Sequence, residues 1–324
     1  MIDIIGSADL AALLTMDDAI KLVKTAMIDV SAARSWAPHR WVEQLERGGA
    51  MALMPGGMFS DNRFGIKVLS LFKPAARGSL SGHQGAMLLF DSVDGRPLAI
   101  VEASSLTALR TAAATAVATD ALSRPQSRVL ALLGAGAQAV RHVEAMTAVR
   151  SFDEIRIWAR DRTKAETFAE NHLRGFKTVT VANDAQTAII GADVVCTLTH
   201  SDTAVVRGEW LERGQHLNLI GASTAASREV DVEAVRRSRY FADSRANALL
   251  QAGELRDAIA AGIVGEDHIA AEIGEVLGDA ATGREGPDQI TIYKSLGHVA
   301  QDIAVAGRAF ELTSARQWHG RLPW

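Results

Sequence analysis

The stretch Arg128-Val-Leu-Ala-Leu-Leu-Gly-Ala-Gly-Ala-Gln-Ala139 has the residue types and spacing of a phosphate-binding turn. A short apolar run, Val129 to Leu133, stops at Gly134; Gly136 follows, and a helix-like segment with Val140, Val143 and Met146 begins. The G-x-G-x-x-G/A spacing also occurs in ordinary glycine turns. Here the order strand, turn, helix favours a dinucleotide-binding fingerprint. Gly134 would permit the tight turn, Gly136 would let backbone N–H groups approach a pyrophosphate, and Ala139 would keep the helix close to the sheet. Ala135, Ala137 and Gln138 complete the loop. The helix behind it turns free N–H groups and a partial positive charge toward the phosphates.

The next apolar run, Ile155-Arg-Ile-Trp-Ala159, lies roughly twenty residues on, where such folds end their second strand and commonly place an acid against the ribose hydroxyls. No acid ends the strand here. Arg160, Asp161, Arg162 and Lys164 follow, and three cations can neutralise a 2′-phosphate. A solvated charged loop is the alternative, and Asp161, between two arginines, is the one residue that could take a ribose. The pattern favours NADPH, with NADH a weaker second.

At 324 residues the chain is long enough for two domains. Its 48% hydrophobic and 22% charged residues are ordinary for a globular protein, and a net charge of −4 gives no reason to propose nucleic acid or a membrane surface as partner. The single cysteine, Cys196, lies in the apolar run Val194-Val195-Cys196; it excludes an internal disulfide, fits a reducing cytoplasm and reads as a buried thiol rather than a nucleophile. The nine histidines are scattered, none at metal-ligand spacing, so no metal site is expected. Met-Ile-Asp-Ile-Ile-Gly lacks the character of a signal peptide, and no uncharged apolar stretch is of membrane-spanning length.

The elements that must position these residues fall into two kinds. From Arg128 onward strand-like runs (129–133, 154–158, 177–181, 193–198, 215–220, 239–242) alternate with helix-like ones, among them Arg162–His172 and Asp184–Ile190. That alternation predicts a doubly wound, Rossmann-type parallel sheet. Before it, residues 17–33 read as an amphipathic helix capped by Thr15, followed by short strands at 51–54, 64–71, 84–90 and 96–103, with an Asp94-Gly95 hairpin turn. This is α+β with antiparallel pairing. A helix near Leu106–Leu122 leads across, and another, Gln301–Thr313, is expected to return to the first domain. The expected boundaries are 1–115, completed by 302–324, and 116–301.

With these pieces in place the chain resembles the ornithine cyclodeaminase/mu-crystallin family over nearly its whole length. The matching motifs are Phe64-Gly-Ile-Lys-Val68, Ser81-Gly-His-Gln-Gly85, Leu109-Arg-Thr-Ala-Ala113, Gly134-Ala-Gly-Ala-Gln-Ala139 and Lys294-Ser-Leu-Gly297. The resemblance implies a homodimer, a substrate and dimerisation domain built from both chain ends, and an NAD(P)-binding domain between them. It puts Lys67, Arg110 and Arg40 on the substrate. Two cations suit a carboxylate, because Arg grips it bidentately and Lys adds a point charge. His83 reads equally as a structural loop histidine or a substrate contact. Thr111, Thr197 and Ser295 are further contacts to cofactor or substrate.

Two departures from the cyclodeaminase pattern decide the expected chemistry. In Gly221-Ala222-Ser223 a serine stands where cyclodeaminases carry the aspartate that activates water, and a serine hydroxyl is a poor base at neutral pH. Ala52 replaces the glutamate that holds the distal amine of ornithine. Ketimine reductases of the family share the serine and the Trp-x-Arg pattern seen at Trp158-Ala159-Arg160. The expectation is an NADPH-preferring reductase of a small cyclic imino-acid substrate: Δ1-pyrroline-2-carboxylate to L-proline, or Δ1-piperideine-2-carboxylate to L-pipecolate. Lys67, Arg110 and Ser223 would be the catalytic groups. The rivals are an NAD-dependent ornithine cyclodeaminase, an alanine-type dehydrogenase and a non-enzymatic small-ligand binder.

Overall fold

In the computed structural model, which describes residues 1–72, 83–316 and 318–322, the chain divides into one unit of Met1–Thr111 with His298–Trp324 and a second of Ala112–Gly297. The first unit opens with β1 (Ile2–Ile5), α1 (Ser7–Leu13) and α2 (Met16–Ser31). α2 begins at the expected cap: Thr15 Oγ1 accepts from Asp18 N at 3.2 Å, and Asp18 Oδ2 accepts from Thr15 N at 3.1 Å. Then come β2 (Ser35–Trp36), β3 (Trp41–Gln44), β4 (Ala50–Met58), β5 (Arg63–Leu71), β6 (His83–Asp91) and β7 (Pro97–Glu102), and α3 (Ala103–Leu122) leads into the second unit.

The second unit alternates as the sequence predicts. Its elements are β8 (Val129–Leu133), α4 (Ala137–Val149), β9 (Glu154–Trp158), α5 (Arg162–His172), β10 (Thr178–Val181), α6 (Ala185–Ile189), β11 (Val194–Thr197), β12 (His216–Leu219), α7 (Val232–Arg237), β13 (Ser238–Ala242), α8 (Arg245–Gln251), α9 (Gly253–Ala260), β14 (Ile269–Glu272), α10 (Ile273–Leu277) and β15 (Ile290–Lys294). α11 (Val299–Ser314) and β16 (Arg321–Leu322) return to the first unit.

The two sheets differ in kind. In the second unit the order is β10-β9-β8-β11-β12-β15-β13-β14, every pairing parallel. The order reverses direction beside β8, the switch point at whose carboxyl edge open α/β sheets take their ligands. Strands β8, β11 and β12 are buried almost throughout, as strands covered on both faces must be. The first unit's sheet runs β16-β1-β7-β6-β5-β4-β2, with β3 also on β4; it is antiparallel except that β1 pairs with β7 in parallel. The Asp94-Gly95 turn joins β6 to β7, with Gly95 at φ +77°.

Against the expectation of a strand ending before Pro55, β4 runs to Met58. β3 pairs with residues 50–53 and β2 with 57–58, so Pro55 lies where neither neighbour needs its missing N–H. Gly56 follows because a Cβ there would collide with Val299 of α11. Strands β1, β2, β3, β14, β15 and β16 were not expected either. Of these, β2 and β3 are too short for a periodic signal, whereas Ile290-Thr-Ile-Tyr-Lys294 carries one.

Candidate active site

Lys67 sits in the middle of β5 on the face that also carries its cross-strand partners Met54 and Met87. Ile66 and Val68 point the other way, and Lys67 is fully buried. Its Nζ donates to both oxygens of Asp302 on α11, at 2.9 and 2.8 Å, and reaches Thr107 Oγ1 at 3.3 Å. Arg110 on α3, also buried, donates through Nε to Asp302 Oδ1 at 3.0 Å and through Nη1 to Gln301 Oε1 at 2.9 Å. Gln301 is itself held against Met27 Sδ at 3.2 Å.

Two buried cations share one buried carboxylate. The electrostatics follow: burial pushes Lys67 down to about 8, the Arg110 charge pushes the same way, Asp302 opposes both, and Arg40 adds a further depressing charge. Burial alone would raise Asp302, but Arg110 and Lys67 more than offset it and hold the carboxyl below its ordinary range. His298, the N-cap of α11, is pushed by burial down to about 4, so it adds no charge at neutral pH. The set Lys67, Arg110 and Asp302 therefore carries one unmatched positive charge. A low-dielectric surrounding with such a surplus favours one bound anion.

Of the residues expected on the substrate, Lys67 and Arg110 are brought together, and half-buried Arg40 is close enough for its charge to act on Lys67. The backbone of His83 begins β6 opposite Leu71, and its side chain lies outside the described residues. Asp302, Gln301 and His298 were not foreseen. The available signal was an acid inside the run Val299–Gly307, otherwise uncharged and, apart from Gln301, small or apolar, where a charge tolerated in a core implies a partner.

In the second unit, Gly134 has φ +122°, and a Cβ there would lie 2.5 Å from Leu198 O, so only glycine fits. Gly136 caps α4 with no side-chain hydrogen bond, is exposed, and would have nothing within 4 Å of an added Cβ. Ala135 and Gln138 are half-buried, Ala137 is exposed, and Ala139 is fully buried against the sheet. His142 fixes the first turn of α4: Nδ1 lies 2.8 Å from Gln138 O, and Nε2 lies 3.1 Å from Thr115 Oγ1. A carbonyl can only accept, so Nδ1 carries the proton; burial pushes this imidazole down to about 4.

Past β9, Asp161 is committed as the N-cap of α5, accepting from Thr163 N and Lys164 N. Arg162 pairs with Glu166 at 2.8 Å and with Asn183 at 2.6 Å, and Arg160 is exposed. Cys196 is buried, with its thiol pushed up to about 12 by that burial, which makes it inert.

The carboxyl edge of the sheet is organised by Glu229, which the sequence did not single out as a site residue. Its Oε2 accepts from Thr197 Oγ1 at 2.7 Å, Gly221 N at 2.7 Å and Ala222 N at 3.1 Å; its Oε1 accepts from Thr199 N at 2.8 Å and Thr199 Oγ1 at 2.6 Å. One carboxylate thus joins the ends of β11 and β12. Gly221 must be glycine, because a Cβ would meet the Thr199 carbonyl. Lys294 Nζ donates to Ala222 O at 2.6 Å and pairs with Glu254 at 3.0 Å, both side chains fully buried. Half-buried Ser223 follows this fixed peptide. Thr111, the last residue of the first unit, is buried on α3.

The residues at this edge fit a dinucleotide. Two buried oxygens have no hydrogen-bond partner among the described residues: Gln138 Oε1 in the glycine loop and Ser295 Oγ at the end of β15. With the open, uncapped N-terminus of α4, they supply an anion site and two acceptors awaiting donors.

A model of the ornithine cyclodeaminase/mu-crystallin family matches residues 3–316. Ketimine reductase mu-crystallin from Mus musculus is 36% identical over 267 residues, covering 82% of this chain and 82% of that protein. Among solved structures, Thermococcus litoralis Δ1-pyrroline-2-carboxylate reductase in complex with NADH and L-proline superposes with a TM-score of 0.93 at 30% identity, over 97% of this chain and 98% of that one. An archaeal alanine dehydrogenase dimer with bound NAD gives 0.90 at 30% identity, over 97% and 96%.

Proposed function

The chain belongs to the ornithine cyclodeaminase/mu-crystallin family, and on that premise we propose that it is an NADPH-preferring reductase of cyclic ketimine carboxylates. Its substrates are Δ1-pyrroline-2-carboxylate, giving L-proline, and Δ1-piperideine-2-carboxylate, giving L-pipecolate. The observation that carries this reading is the unmatched buried positive charge on Lys67, Arg110 and Asp302. One ring carboxylate neutralises it, and a guanidinium, an ammonium and nearby Arg40 suit that anion. Relatives named for these activities support the same class.

The cofactor, when bound, supplies the hydride. Gly134 to Gln138 hold its pyrophosphate, Arg160 and Arg162 meet the 2′-phosphate, and Thr111, Thr197 and Ser295 contact the remainder. Lys67 and Arg110 fix the substrate carboxylate and so orient the C=N bond. Lys67, pushed down to about 8, exchanges a proton readily near neutral pH. An iminium needs no strong base, which suits a serine at position 223.

The cyclodeaminase reading is disfavoured at both acidic positions. Ala52 is buried in an apolar cluster with Leu69 and Ala103, with no acid to hold a distal amine. Ser223 replaces the aspartate. The protein works as a homodimer through the first unit, where Trp36, Trp41, Val42, Leu45, Phe59 and Phe72 expose large apolar side chains on and around the short strands β2 and β3. Oxidation of NADPH with a panel of cyclic and open-chain imines tests the reading. Turnover of the two cyclic substrates without ammonia release from L-ornithine supports it. Ammonia release at a comparable rate, or preference for the imine of pyruvate, overturns it in favour of a cyclodeaminase or an alanine-type dehydrogenase.

A further inference from the structure

Glu229 is a fully buried carboxylate whose five partners are hydroxyls and backbone N–H groups, none of them charged. Buried charges are ordinarily paired, because taking an ion out of water is expensive. A cation does lie nearby. Lys294 donates to Ala222 O, one peptide group from the Ala222 N–H that Glu229 binds, yet its charge is matched by Glu254, which also accepts from Tyr240 Oη at 3.0 Å. The positive charge of Lys294 is therefore already neutralised, and the negative charge of Glu229 is not.

The position of this unmatched anion gives it a meaning. It lies under the carboxyl ends of β11 and β12, which with β15 form the second half of the doubly wound sheet. In such folds each half takes one mononucleotide: the half with the glycine turn, β8 to β10, takes the adenosine side, and the other half takes the nicotinamide side. The nicotinamide ring is neutral when reduced and carries one positive charge when oxidised. Gly221, too close to the Thr199 carbonyl for any side chain, and the five hydrogen bonds hold the carboxylate in place whichever form is bound.

We infer that Glu229 is the fixed counter-charge of the nicotinamide ring, so that this protein binds the oxidised dinucleotide more tightly than it would with a neutral residue at position 229. Glu229 is a positioning and electrostatic residue in this role, not one that touches the ring. The inference rests on the proposed cofactor but not on the imine substrate.

The test compares affinities, not turnover. For the wild-type protein and Glu229→Gln, dissociation constants are measured for NADPH by its fluorescence and for NADP⁺ by calorimetry. Removing the charge should weaken NADP⁺ by about tenfold more than NADPH, the change expected of one modest charge–charge interaction. A residue that only shapes the turn would weaken both alike, and equal losses overturn the proposal. Should Glu229→Gln not fold, the ligand is altered instead: wild-type protein is titrated with NADP⁺ and with the isosteric dinucleotide whose ring is uncharged benzamide. Preference for the cationic ring supports the counter-charge, and equal affinity overturns it. Failure to bind any of these dinucleotides overturns this inference and the cofactor assignment together. Failure to reduce any cyclic imine, with the affinity difference intact, overturns only the substrate assignment.

Discussion

Lys67 and Asp302 stand 235 positions apart in sequence and form a fully buried ion pair, with Nζ 2.8 and 2.9 Å from the two carboxylate oxygens. Arg110 shares the same carboxylate at 3.0 Å. Burial loosens the hold of the lysine on its proton, pushing it down to about 8.

Turnover should decline above pH 8, because burial has pushed Lys67 down to about 8 and its ammonium is lost beyond that point. Asp302 is the group that opposes this shift, so Asp302→Asn should move the alkaline limb to lower pH while the cofactor dissociation constant stays unchanged. A pH–rate profile of kcat/KM reads it out, and an unmoved limb would show that Lys67 does not govern the profile. The stability linkage has the opposite sense. Between the folded value near 8 and the ordinary lysine value of 10.5, the unfolded chain binds more protons, so this group's contribution to stability rises with pH through that window.

Lys67→Met keeps the length of the side chain and removes the charge. Asp302 retains Arg110, so the variant should fold. Turnover of the cyclic imine should fall by about a hundredfold or more, as expected when a substrate loses its positioning charge, while NADPH titrations remain like wild type. Wild-type turnover would reduce Lys67 to a buried strand residue.

Arg160→Ala should raise the KM for NADPH and leave that for NADH nearly unchanged. Loss of charge-assisted hydrogen bonds to a phosphate costs about 1.5–3 kcal/mol each, or roughly tenfold to a hundredfold. Arg162→Ala should have the smaller effect, since that side chain already pairs with Glu166 and Asn183. Steady-state kinetics with both cofactors decides it, and a wild type that favours NADH would refute the preference outright.

Trp41 is 52% exposed on β3, every residue of which faces solvent. Trp41→Lys should shift the protein from dimer to monomer at micromolar concentration, as measured by light scattering. A wild type that is already monomeric would remove the dimer from the proposal.

Acid should destabilise the second unit through two buried histidines. Burial is the leading cause for both, pushing His216 down to about 3 and His142 to about 4. Below the ordinary histidine value of 6.5 the unfolded chain takes up protons that the folded chain refuses, so stability falls as the pH drops from 6.5 toward 4. Thermal unfolding from pH 7 to 5 should show it, and a flat Tm across that range would mean that the imidazoles ionise without cost.

What was legible in the sequence was what is local in the chain. The glycine turn at 134–139, the cap at Thr15 and the Asp94-Gly95 hairpin each depend on a few adjacent residues, and each forms as read. Pairing across long separations was not legible. Lys67 and Arg110 could be named from motifs, but nothing near them indicates that their shared carboxylate comes from α11. Glu229 was visible yet passed over, since it follows β12 by a loop rather than ending a strand; only the folded turn brings its oxygens back to Gly221 and Ala222. Pro55 misled in the ordinary way: it argues against a strand unless the gap between two short partners is known.

The first unit is sewn shut by the end of the chain: Ile2 lies opposite Leu322, Asp3 binds Arg321 and Thr313, and α11 brings Asp302 to Lys67. On the ribosome, the two cations are therefore made long before their anion. Until α11 emerges, closing the sheet around Lys67 and Arg110 would bury uncompensated charge at a cost of several kcal/mol. The first unit must wait for α11 to be translated, whereas residues 112–297 are complete before α11 is synthesised.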